Sequence, residues 1–194
     1  MTKAARAITP ALLRGEVGIL PTDTMYGIVG VALRTTTVQK IYALRKRNPK
    51  KPMIILIGDI RDIKKFGVVL NASTSRLLKK VWPGKVSVIL PISHTRRAAL
   101  IKFKYLHRGT RSLAFRLPQP TWLRALLRKT GPLVAPSANF EGKPPAKTIA
   151  AAKKYFGDRV AFSMDVGRLT SKPSTLIKVH DGTMIVLRKG EVKF

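Results

Sequence analysis

Short apolar runs that end in polar loops are the feature that most limits how this chain can fold. Residues 17–20, 53–57 and 133–135 are apolar and only a few residues long, which is typical of buried strands. Segments with the apolar spacing of amphipathic helices lie between them, at 36–46 and 121–129. Strands and helices that mix without strict alternation predict an α/β fold with a mixed sheet.

The same patterns predict the other elements. We expect the first helix to begin at Thr9-Pro10 and to end at Gly15, because Pro10 would break a helix that began earlier. Residues 94–109 are basic and irregular, which makes them the best candidate for a mobile loop. Asp181-Gly182 is a strong hairpin signal between two C-terminal strands. Further strands are predicted at 28–33, 86–90, 112–117, 161–164, 175–179 and 184–187, and further helices at 74–81 and 148–156.

The length and composition favour a globular protein. A chain of 194 residues is enough for one substantial domain and short for two, so we expect a single domain over 1–194 with a twisted, mixed sheet and flanking helices. The absence of cysteine excludes disulfides, zinc–thiolate sites and cysteine nucleophiles, and it is consistent with a cytoplasmic protein. No signal peptide or transmembrane stretch is recognisable, so no membrane association is expected.

The net charge is the least ordinary property of the chain. Thirty-eight Lys and Arg residues against nine Asp and Glu give a formal charge of +29. A field of that size attracts nucleic acid and other anionic surfaces. The basic residues are spread along the whole chain, so the charge predicts affinity for polyanions without indicating one site. A redesigned surface would have the same pattern.

Three loops beside predicted strands are rich in groups that bind phosphate and small polar ligands. A site made from loops at strand ends is the expected arrangement in an α/β fold. Together the loops predict a pocket for an anionic ligand such as a nucleotide, with hydroxyls and an amide to orient it. They are Pro21-Thr22-Asp23-Thr24-Met25-Tyr26-Gly27, Arg45-Lys46-Arg47-Asn48-Pro49-Lys50-Lys51-Pro52 and Pro136-Ser137-Ala138-Asn139.

The basic loop at 45–52 contains the strongest candidates for phosphate binding. Arg45 and Arg47 can bind phosphate or carboxylate through paired hydrogen bonds, and Lys51 adds a point charge. Two prolines restrict the loop backbone and would help to hold these charges in place. The alternative interpretation is a basic helix end that is simply solvated.

The loop after the strand at 133–135 presents Ser137 and Asn139, which could hold phosphate oxygens together with backbone N–H groups. Such residues are also common in ordinary turns. A role for Ser137 as a hydrolase nucleophile is disfavoured, because no Gly-x-Ser-x-Gly surrounds it and no histidine lies in a recognisable triad context. Asp23 could cap a turn or accept a bond from a ligand amine. No carboxylate cluster for tightly held metal ions is visible, so any Mg²⁺ would arrive with nucleotide phosphates.

A longer series of motifs gives the chain, from about Gly15 to Gly190, a resemblance to the YrdC-like threonylcarbamoyl-AMP synthase family. Each motif alone is modest support, but seven in the same order would rarely arise by chance. The motifs are Pro21-Thr22-Asp23-Thr24-Met25-Tyr26-Gly27, Arg45-x-Arg47 through Lys51-Pro52, Trp82-Pro83-Gly84, Phe115-Arg116-Leu117-Pro118, Ala135-Pro136-Ser137-Ala138-Asn139, Pro173-Ser174-Thr175 and Leu187-Arg188.

The resemblance implies a YrdC-like, or dihydroxybutanone-phosphate-synthase-like, fold with a concave, positively charged face. It implies a reaction in which L-threonine, bicarbonate or CO₂, and ATP give L-threonylcarbamoyl-AMP and pyrophosphate. Later enzymes of the same pathway would use the product to modify the adenosine beside the anticodon of certain tRNAs. The absence of conspicuous carboxylates is no objection, since fixed cations and backbone donors would provide most of the catalysis.

Site residues follow from the resemblance by position. Threonine would contact Thr24 and Ser174, and catalysis would involve Arg47, Ser137 and Asn139. ATP would be bound by Arg45, Arg47, Lys51, Ser87, Ser137, Asn139 and Arg188.

The chain also departs from the family pattern. Arg45 stands where the family has lysine, which keeps the charge but not the shape. Lys85 and Ser87 replace a proline and a threonine, and residues 165–167 are less glycine-rich. The length leaves no room for the additional C-terminal domain of the longer branch, so we expect the single-domain branch.

Two other functions are compatible with parts of the sequence. A non-catalytic protein could bind double-stranded RNA or tRNA on the same basic concave face. The charge favours this alternative, but the Ser-x-Asn loop disfavours it, and the 7% of aromatic residues form no pattern for stacking single-stranded bases. A related phosphosugar enzyme would need acidic metal-binding residues that are missing.

Overall fold

A mixed β-sheet forms the centre of the fold in the computed structural model, which describes residues 2–180 and 183–194. Its strands are β1 (Gly18–Pro21), β2 (Tyr26–Val31), β3 (Ile54–Leu56), β4 (Val86–Pro91), β5 (Ser112–Arg116), β6 (Leu133–Val134), β7 (Phe162–Ser163), β8 (Thr175–His180) and β9 (Thr183–Arg188). Their order across the sheet is β7-β1-β2-β6-β3-β5-β4-β8-β9. Parallel pairing joins β7 to β1, β3 to β5 and β4 to β8, and the other neighbours are antiparallel.

Helices flank this sheet. They are α1 (Lys3–Arg14), α2 (Thr35–Arg45), α3 (Ala72–Val81), α4 (Arg97–Lys102), α5 (Lys104–His107), α6 (Thr121–Thr130) and α7 (Ile149–Phe156), together with 3-10 helices at Ile60–Phe66 and Gly157–Arg159. The predicted α/β fold with a mixed sheet and flanking helices is therefore confirmed.

The alternation of side chains along the strands divides the core between two layers. Ile19 of β1 and Ile55 of β3 pack in the larger cluster, which includes apolar residues of α2, α3, α5 and α7. Their neighbours Leu20 and Leu56 point to the opposite face, where they pack with α1 and α6. Both faces of these strands are thus covered by helices.

Strands β4, β5 and β8 are packed differently. Val88, Phe115 and Ile177 belong to the larger cluster, but none of the three strands contributes to the cluster formed by α1 and α6. Ile89 of β4 and Leu176 of β8 point to that second face and line an open cavity instead. The uncovered face of these strands is the floor of the candidate site.

The predicted start of the first helix is wrong. Helix α1 begins at Lys3, with the Thr2 hydroxyl as its N-cap, and it continues through Pro10. Proline removes one backbone hydrogen bond from a helix. The helix persists because Ile8, on one side of Pro10, and Leu12, on the other, are buried in the apolar cluster that α1 forms with α6.

The prediction of an irregular loop at 94–109 is also wrong, because α4 and α5 lie within it. Two apolar side chains in this basic segment, Phe103 and Leu106, are buried in the larger cluster. The ring of Phe103 packs against that of Phe66, with centroids 5.2 Å apart. These anchors hold the two short helices against the sheet layer.

The other predicted helices and strands are present within a few residues of their expected bounds. Strands β8 and β9 pair antiparallel, as expected of a hairpin, but Asp181 and Gly182 lie outside the described residues. The 3-10 helix Ile60–Phe66 was not predicted; it begins with a reciprocal capping box between Asp59 and Asp62. Among the described helices, none has both the length and the apolarity needed to cross a bilayer.

Candidate active site

The three predicted loops meet at a cavity of about 350 Å³ on the uncovered face of the sheet. This volume is in the range of small-molecule sites. Four arginines and several hydroxyls line it, with apolar side chains from the strands between them. The polar lining residues are Thr22, Thr24, Arg45, Arg47, Thr110, Ser112, Arg116, Ser137, Ser174 and Arg188, and the larger apolar ones include Met53, Ile54, Ile89 and Leu176.

Arg45, the last residue of α2, holds the Ser137–Asn139 loop. Its Nε donates to the main-chain oxygens of Ser137 at 2.9 Å and Asn139 at 3.1 Å. Its Nη2 donates to Ser137 Oγ at 3.3 Å and Asn139 Oδ1 at 3.2 Å. The third nitrogen, Nη1, is buried and has no hydrogen-bond partner within the described chain, although a buried donor normally has one.

The charge of Arg45 survives its burial at neutral pH. Burial, reinforced by the positive charge of Arg47, lowers the pKa of Arg45 to about 10. The cavity therefore contains a desolvated cation whose free N–H groups are available to an anionic ligand.

Arg47 and Lys51 lie on the second loop but have different positions. Arg47 lines the cavity, and its guanidinium donates to the main-chain oxygens of Lys51 at 3.1 Å and Pro52 at 2.7 Å. Lys51 is absent from the lining and forms an ion pair with Glu141 at 2.7 Å. This ion pair lowers the pKa of Glu141 and ties the basic loop to the segment that follows Asn139.

The side chain of Asn139 is used within its own loop. Its Nδ2 donates to the main-chain oxygens of Phe140 and Lys143, both at 2.7 Å, and its Oδ1 accepts from Arg45. Asn139 is buried and does not line the cavity, whereas Ser137 does. The amide therefore shapes the loop that presents Ser137.

The first loop is held by its own hydroxyls. Thr22 Oγ1 donates to the main-chain oxygen of Met25 at 2.7 Å and lies 3.1 Å from Thr24 Oγ1. The buried hydroxyl of Tyr26 donates to Gly167 O at 2.7 Å and accepts from Val166 N at 3.0 Å. These bonds fix the loop so that Thr24 faces the cavity.

Ser174 and Arg188 form the C-terminal wall. Arg188 donates through Nη2 to Ser174 O at 2.8 Å and to Ser174 Oγ at 3.1 Å. The same Ser174 hydroxyl lies 2.9 Å from the hydroxyl of Ser87 on β4. Ser87 is completely buried and does not line the cavity, so it supports the wall only through its contact with the Ser174 hydroxyl.

Arg116, at the end of β5, adds a fourth cation. It is 4% exposed, and its Nη2 lies 3.1 Å from Oδ1 of the buried Asp23 side chain. The contact is an ion pair without hydrogen-bond geometry, since Arg116 Nε and Asp23 Oδ1 have no hydrogen-bond partner in the described residues. Burial lowers the pKa of Arg116, and the charge of Asp23 opposes that effect.

The structure thus brings together most of the residues expected at the site. Thr24, Arg45, Arg47, Ser137, Ser174 and Arg188 line the cavity, whereas Lys51, Ser87 and Asn139 do not line it and instead contact residues of its walls and loops. The sequence analysis gave no role to Arg116, although a lone arginine in an otherwise apolar strand was a visible signal. It also left Asp23 as a turn cap or an amine acceptor, and the structure pairs it with Arg116. No cluster of three metal-ligating side chains occurs in the described parts of the chain.

The fold and the cavity define an α/β protein with a cationic pocket for a small ligand. The model of the Sua5/YciO/YrdC family, described as "Telomere recombination", matches residues 10–190. The chain belongs to this family, which confirms the resemblance drawn from the motifs.

Alignments with named proteins extend over nearly the whole chain. The threonylcarbamoyl-AMP synthase of Thiobacillus denitrificans is 31% identical over 177 residues, which are 90% of this chain and 90% of that protein. The threonylcarbamoyl-AMP synthase of Bacillus subtilis is 33% identical over 186 residues, 94% of this chain and 52% of that protein. The structure of Pyrococcus abyssi Sua5 complexed with L-threonine superposes with a TM-score of 0.85 at 25% identity, covering 96% of this chain and 54% of that one. The chain therefore spans about half the length of the latter two proteins.

Proposed function

We propose that this protein synthesises L-threonylcarbamoyl-AMP from L-threonine, bicarbonate or CO₂, and ATP, releasing pyrophosphate. The product would serve threonylcarbamoyladenosine modification of tRNA. The names of the relatives support the reaction, and the cavity supplies groups suited to each substrate.

The main support is the convergence of Arg45, Arg47, Arg116 and Arg188 on one cavity. Two of them, Arg45 and Arg116, are buried and retain nitrogens with no hydrogen-bond partner in the described chain. Leaving such donors unpaired is costly, so the site is suited to a ligand with several anionic oxygens. ATP provides phosphates, and threonine provides a carboxylate.

We place threonine near Thr24, Ser174 and Arg116. The two hydroxyls can bond the amino-acid side chain and amine, while the guanidinium of Arg116 can bind the carboxylate. Ile89 and Leu176 offer apolar contact for the threonine methyl group.

We place the ATP phosphates against Arg45, Arg47, Ser137 and Arg188, all of which line the cavity. Lys51 and Asn139 would hold the loops that present Arg47 and Ser137, and they would reach the phosphates directly once these loops rearrange on binding. Ser87 would orient Ser174 through their 2.9 Å contact.

The chemistry requires no covalent intermediate with the protein. The threonine nitrogen forms a bond to CO₂ and loses a proton, which gives a carbamate. A carbamate oxygen then attacks the α-phosphorus of ATP, the bond to the bridging oxygen breaks, and pyrophosphate leaves with the electron pair. Arg47 and its neighbours would stabilise the charge that builds on the phosphoryl oxygens. Mg²⁺ would arrive with the ATP phosphates and help to neutralise them.

The proposal extends to the setting of the reaction. Residues 1–194 would act as one catalytic domain in the cytoplasm and would pass the product to later enzymes of the tRNA threonylcarbamoyl pathway.

Pyrophosphate release tests the function directly. It should need ATP, threonine and bicarbonate together, and serine should be a poorer substrate, because losing the methyl contact costs about 1 kcal/mol or more. Equal release without any amino acid would exclude the proposed reaction. No release in any mixture would favour the non-catalytic RNA-binding alternative.

A further inference from the structure

A carboxylate beside the candidate active site has no part in the proposed reaction. Glu141 follows the Ser137–Asn139 loop and is the one acidic residue in the sequence between Asp62 and Asp158. It does not line the cavity. A negative charge close to a site for phosphates opposes their binding, which indicates that Glu141 acts on residues of the site and not on the ligand itself.

Glu141 is tied to the basic loop through its main chain and its side chain. Its main-chain N–H donates to Arg45 O at 2.9 Å. Its carboxylate accepts through Oε2 from the main-chain N–H of Asn48, and through Oε1 from Lys51 Nζ at 2.7 Å. The bonds to Arg45 and Asn48 do not involve Lys51, so they would keep the carboxylate in place when the Lys51 side chain moves.

The main chain of Lys51 is fixed beside the cavity, although its side chain does not line it. Lys51 O accepts from Tyr42 Oη at 2.9 Å and from Arg47 Nε at 3.1 Å, and the next residue, Pro52, lines the cavity. The Lys51 side chain is 61% exposed, and within residues 2–180 and 183–194 it bonds Glu141 alone. This ion pair is therefore the contact that keeps the ammonium group out of the cavity lining.

Glu141 is charged at neutral pH and acts on the cations of the cavity as well as on Lys51. The bonds from Lys51 and Asn48 lower the pKa of Glu141, and the positive charges of Lys51 and Arg47 add to that effect. Burial and the charge of Arg47 lower the pKa of Arg45, and the charge of Glu141 opposes them. The carboxylate therefore attracts the guanidinium groups of Arg45 and Arg47, both of which line the cavity.

We propose that Glu141 is a positioning residue that holds the Lys51 ammonium group outside the cavity and releases it to the phosphates when ATP binds. The inference rests on the proposed function, because that function places the phosphates against the basic loop. An exposed ion pair is weak, so the several negative charges of a triphosphate can replace one carboxylate as the partner of Lys51. Breaking the ion pair offsets part of the attraction between Lys51 and the phosphates, and Glu141 thus lowers the affinity for ATP.

Glu141→Gln tests this arrangement. The amide oxygen can still accept from Asn48 N, so the loop keeps that contact, but the ion pair with Lys51 is lost. Affinity for ATP, measured by calorimetry without threonine, should rise by about two- to fivefold, the range expected for an exposed ion pair. The control is Glu16→Gln, which breaks a 2.9 Å ion pair of similar exposure with Arg14, away from the cavity lining. Its ATP affinity should change by less than about 1.5-fold at physiological salt, where distant charges are screened.

Steady-state kinetics distinguish this role from a purely structural one. Glu141→Gln should lower the KM for ATP by about the same factor and leave kcat unchanged, because Lys51 has already left the carboxylate in the complex with ATP. A Glu141 that served only to shape the loop would give the reverse result, a raised KM for ATP or a lowered kcat. Thermal melting verifies that each variant is folded.

Removing Lys51 provides the second half of the test. In the Lys51→Met background, Glu141→Gln should change ATP affinity no more than Glu16→Gln does, because the coupling between the two residues is gone. A gain of the same size with and without Lys51 would overturn the proposal, since it would show only repulsion between Glu141 and the phosphates. An unchanged or reduced ATP affinity in the single Glu141→Gln variant would also overturn it.

The same measurements separate this inference from the proposed reaction. Tighter ATP binding by Glu141→Gln, with no pyrophosphate release by any variant, would support the role of Glu141 and exclude the reaction. Normal pyrophosphate release with an unchanged ATP affinity in Glu141→Gln would support the reaction and overturn the role of Glu141. A parent protein that does not bind ATP would contradict both.

Discussion

Arg45 binds Asn139 at both its main chain and its side chain, through Nε to the carbonyl oxygen at 3.1 Å and through Nη2 to Oδ1 at 3.2 Å. A second pair of bonds from the same guanidinium reaches Ser137. The arginine at the end of α2 is thus a structural part of the Ser137–Asn139 loop as well as a cation of the cavity. The planar fork of arginine makes this possible, and a lysine ammonium has no equivalent geometry.

Arg45→Lys introduces the residue that the family pattern has at this position. It should nevertheless lower the stability of the folded protein. One ammonium cannot reach all four acceptors, and each buried acceptor left unpaired costs about 1–3 kcal/mol. We expect the free energy of unfolding in urea to fall by about 1–3 kcal/mol, with a smaller loss of ATP affinity because the charge is kept. A variant as stable as the parent protein would mean that the loop does not depend on the guanidinium.

Arg47→Ala should lower the activity and leave the stability of the fold nearly unchanged, the reverse of what we expect for Arg45→Lys. Arg47 bonds only the carbonyls of its own partly exposed loop, and water can replace those donors. If it binds a phosphate in the transition state, kcat/KM should fall by about 10²-fold, the usual effect of removing one such donor. Steady-state pyrophosphate release and circular dichroism measure the two effects. Near-normal activity with intact structure would mean that Arg47 is only a surface charge and does not bind the reacting phosphate.

Much of the fold and the site could be predicted from local patterns. Val86–Pro91 and Thr121–Thr130 are short periodic segments, and they formed close to where their spacing placed them. The loops containing Thr24, Arg47 and Ser137 were found because their hydroxyls and cations lie beside apolar strands, and they meet at one cavity.

The features that the sequence could not predict depend on contacts between residues that lie far apart in the chain. Helix α1 continues through Pro10 because its apolar face packs against α6. The side chains of Ile8 and Leu12, which make this contact, are 9% and 0% exposed. The roles of Asn139 and Ser87 as supports depend on hydrogen bonds to Arg45 and Ser174, which lie far away in the chain. Recognising Arg116 as a site residue required knowledge of which face of β5 borders the cavity, the face that Ser112 and Ala114 also share.

Gly190→Ala should damage the wall of the site that includes Ser174. A Cβ atom at Gly190 would lie 2.5 Å from both Ser174 C and Thr175 N, which are main-chain atoms that cannot turn aside. The 173–175 segment must shift, and the Ser174 hydroxyl with it. We expect the KM for threonine to rise by about tenfold, equivalent to about 1.4 kcal/mol of binding. Lys189→Ala, at the exposed neighbouring position, is the control and should leave the KM unchanged. An unaltered KM in the glycine variant would separate Ser174 from threonine binding.

Ser137→Ala tests whether ATP and RNA are bound by different parts of the protein. The Ser137 hydroxyl lines the cavity and accepts from Arg45 at 3.3 Å, and its removal changes no charge. ATP affinity should fall by about five- to tenfold, as expected when one hydrogen bond of about 1 kcal/mol is lost. Affinity for duplex RNA should stay the same, and so should its steep decline between about 50 and 200 mM salt, because that decline reports the number of phosphates neutralised by cations. One titration with ATP and one with RNA on the same sample measure both quantities. If Ser137→Ala instead abolished RNA binding and left the affinity for ATP unchanged, the loop would be an RNA-binding element, and the cavity would not be the ATP site.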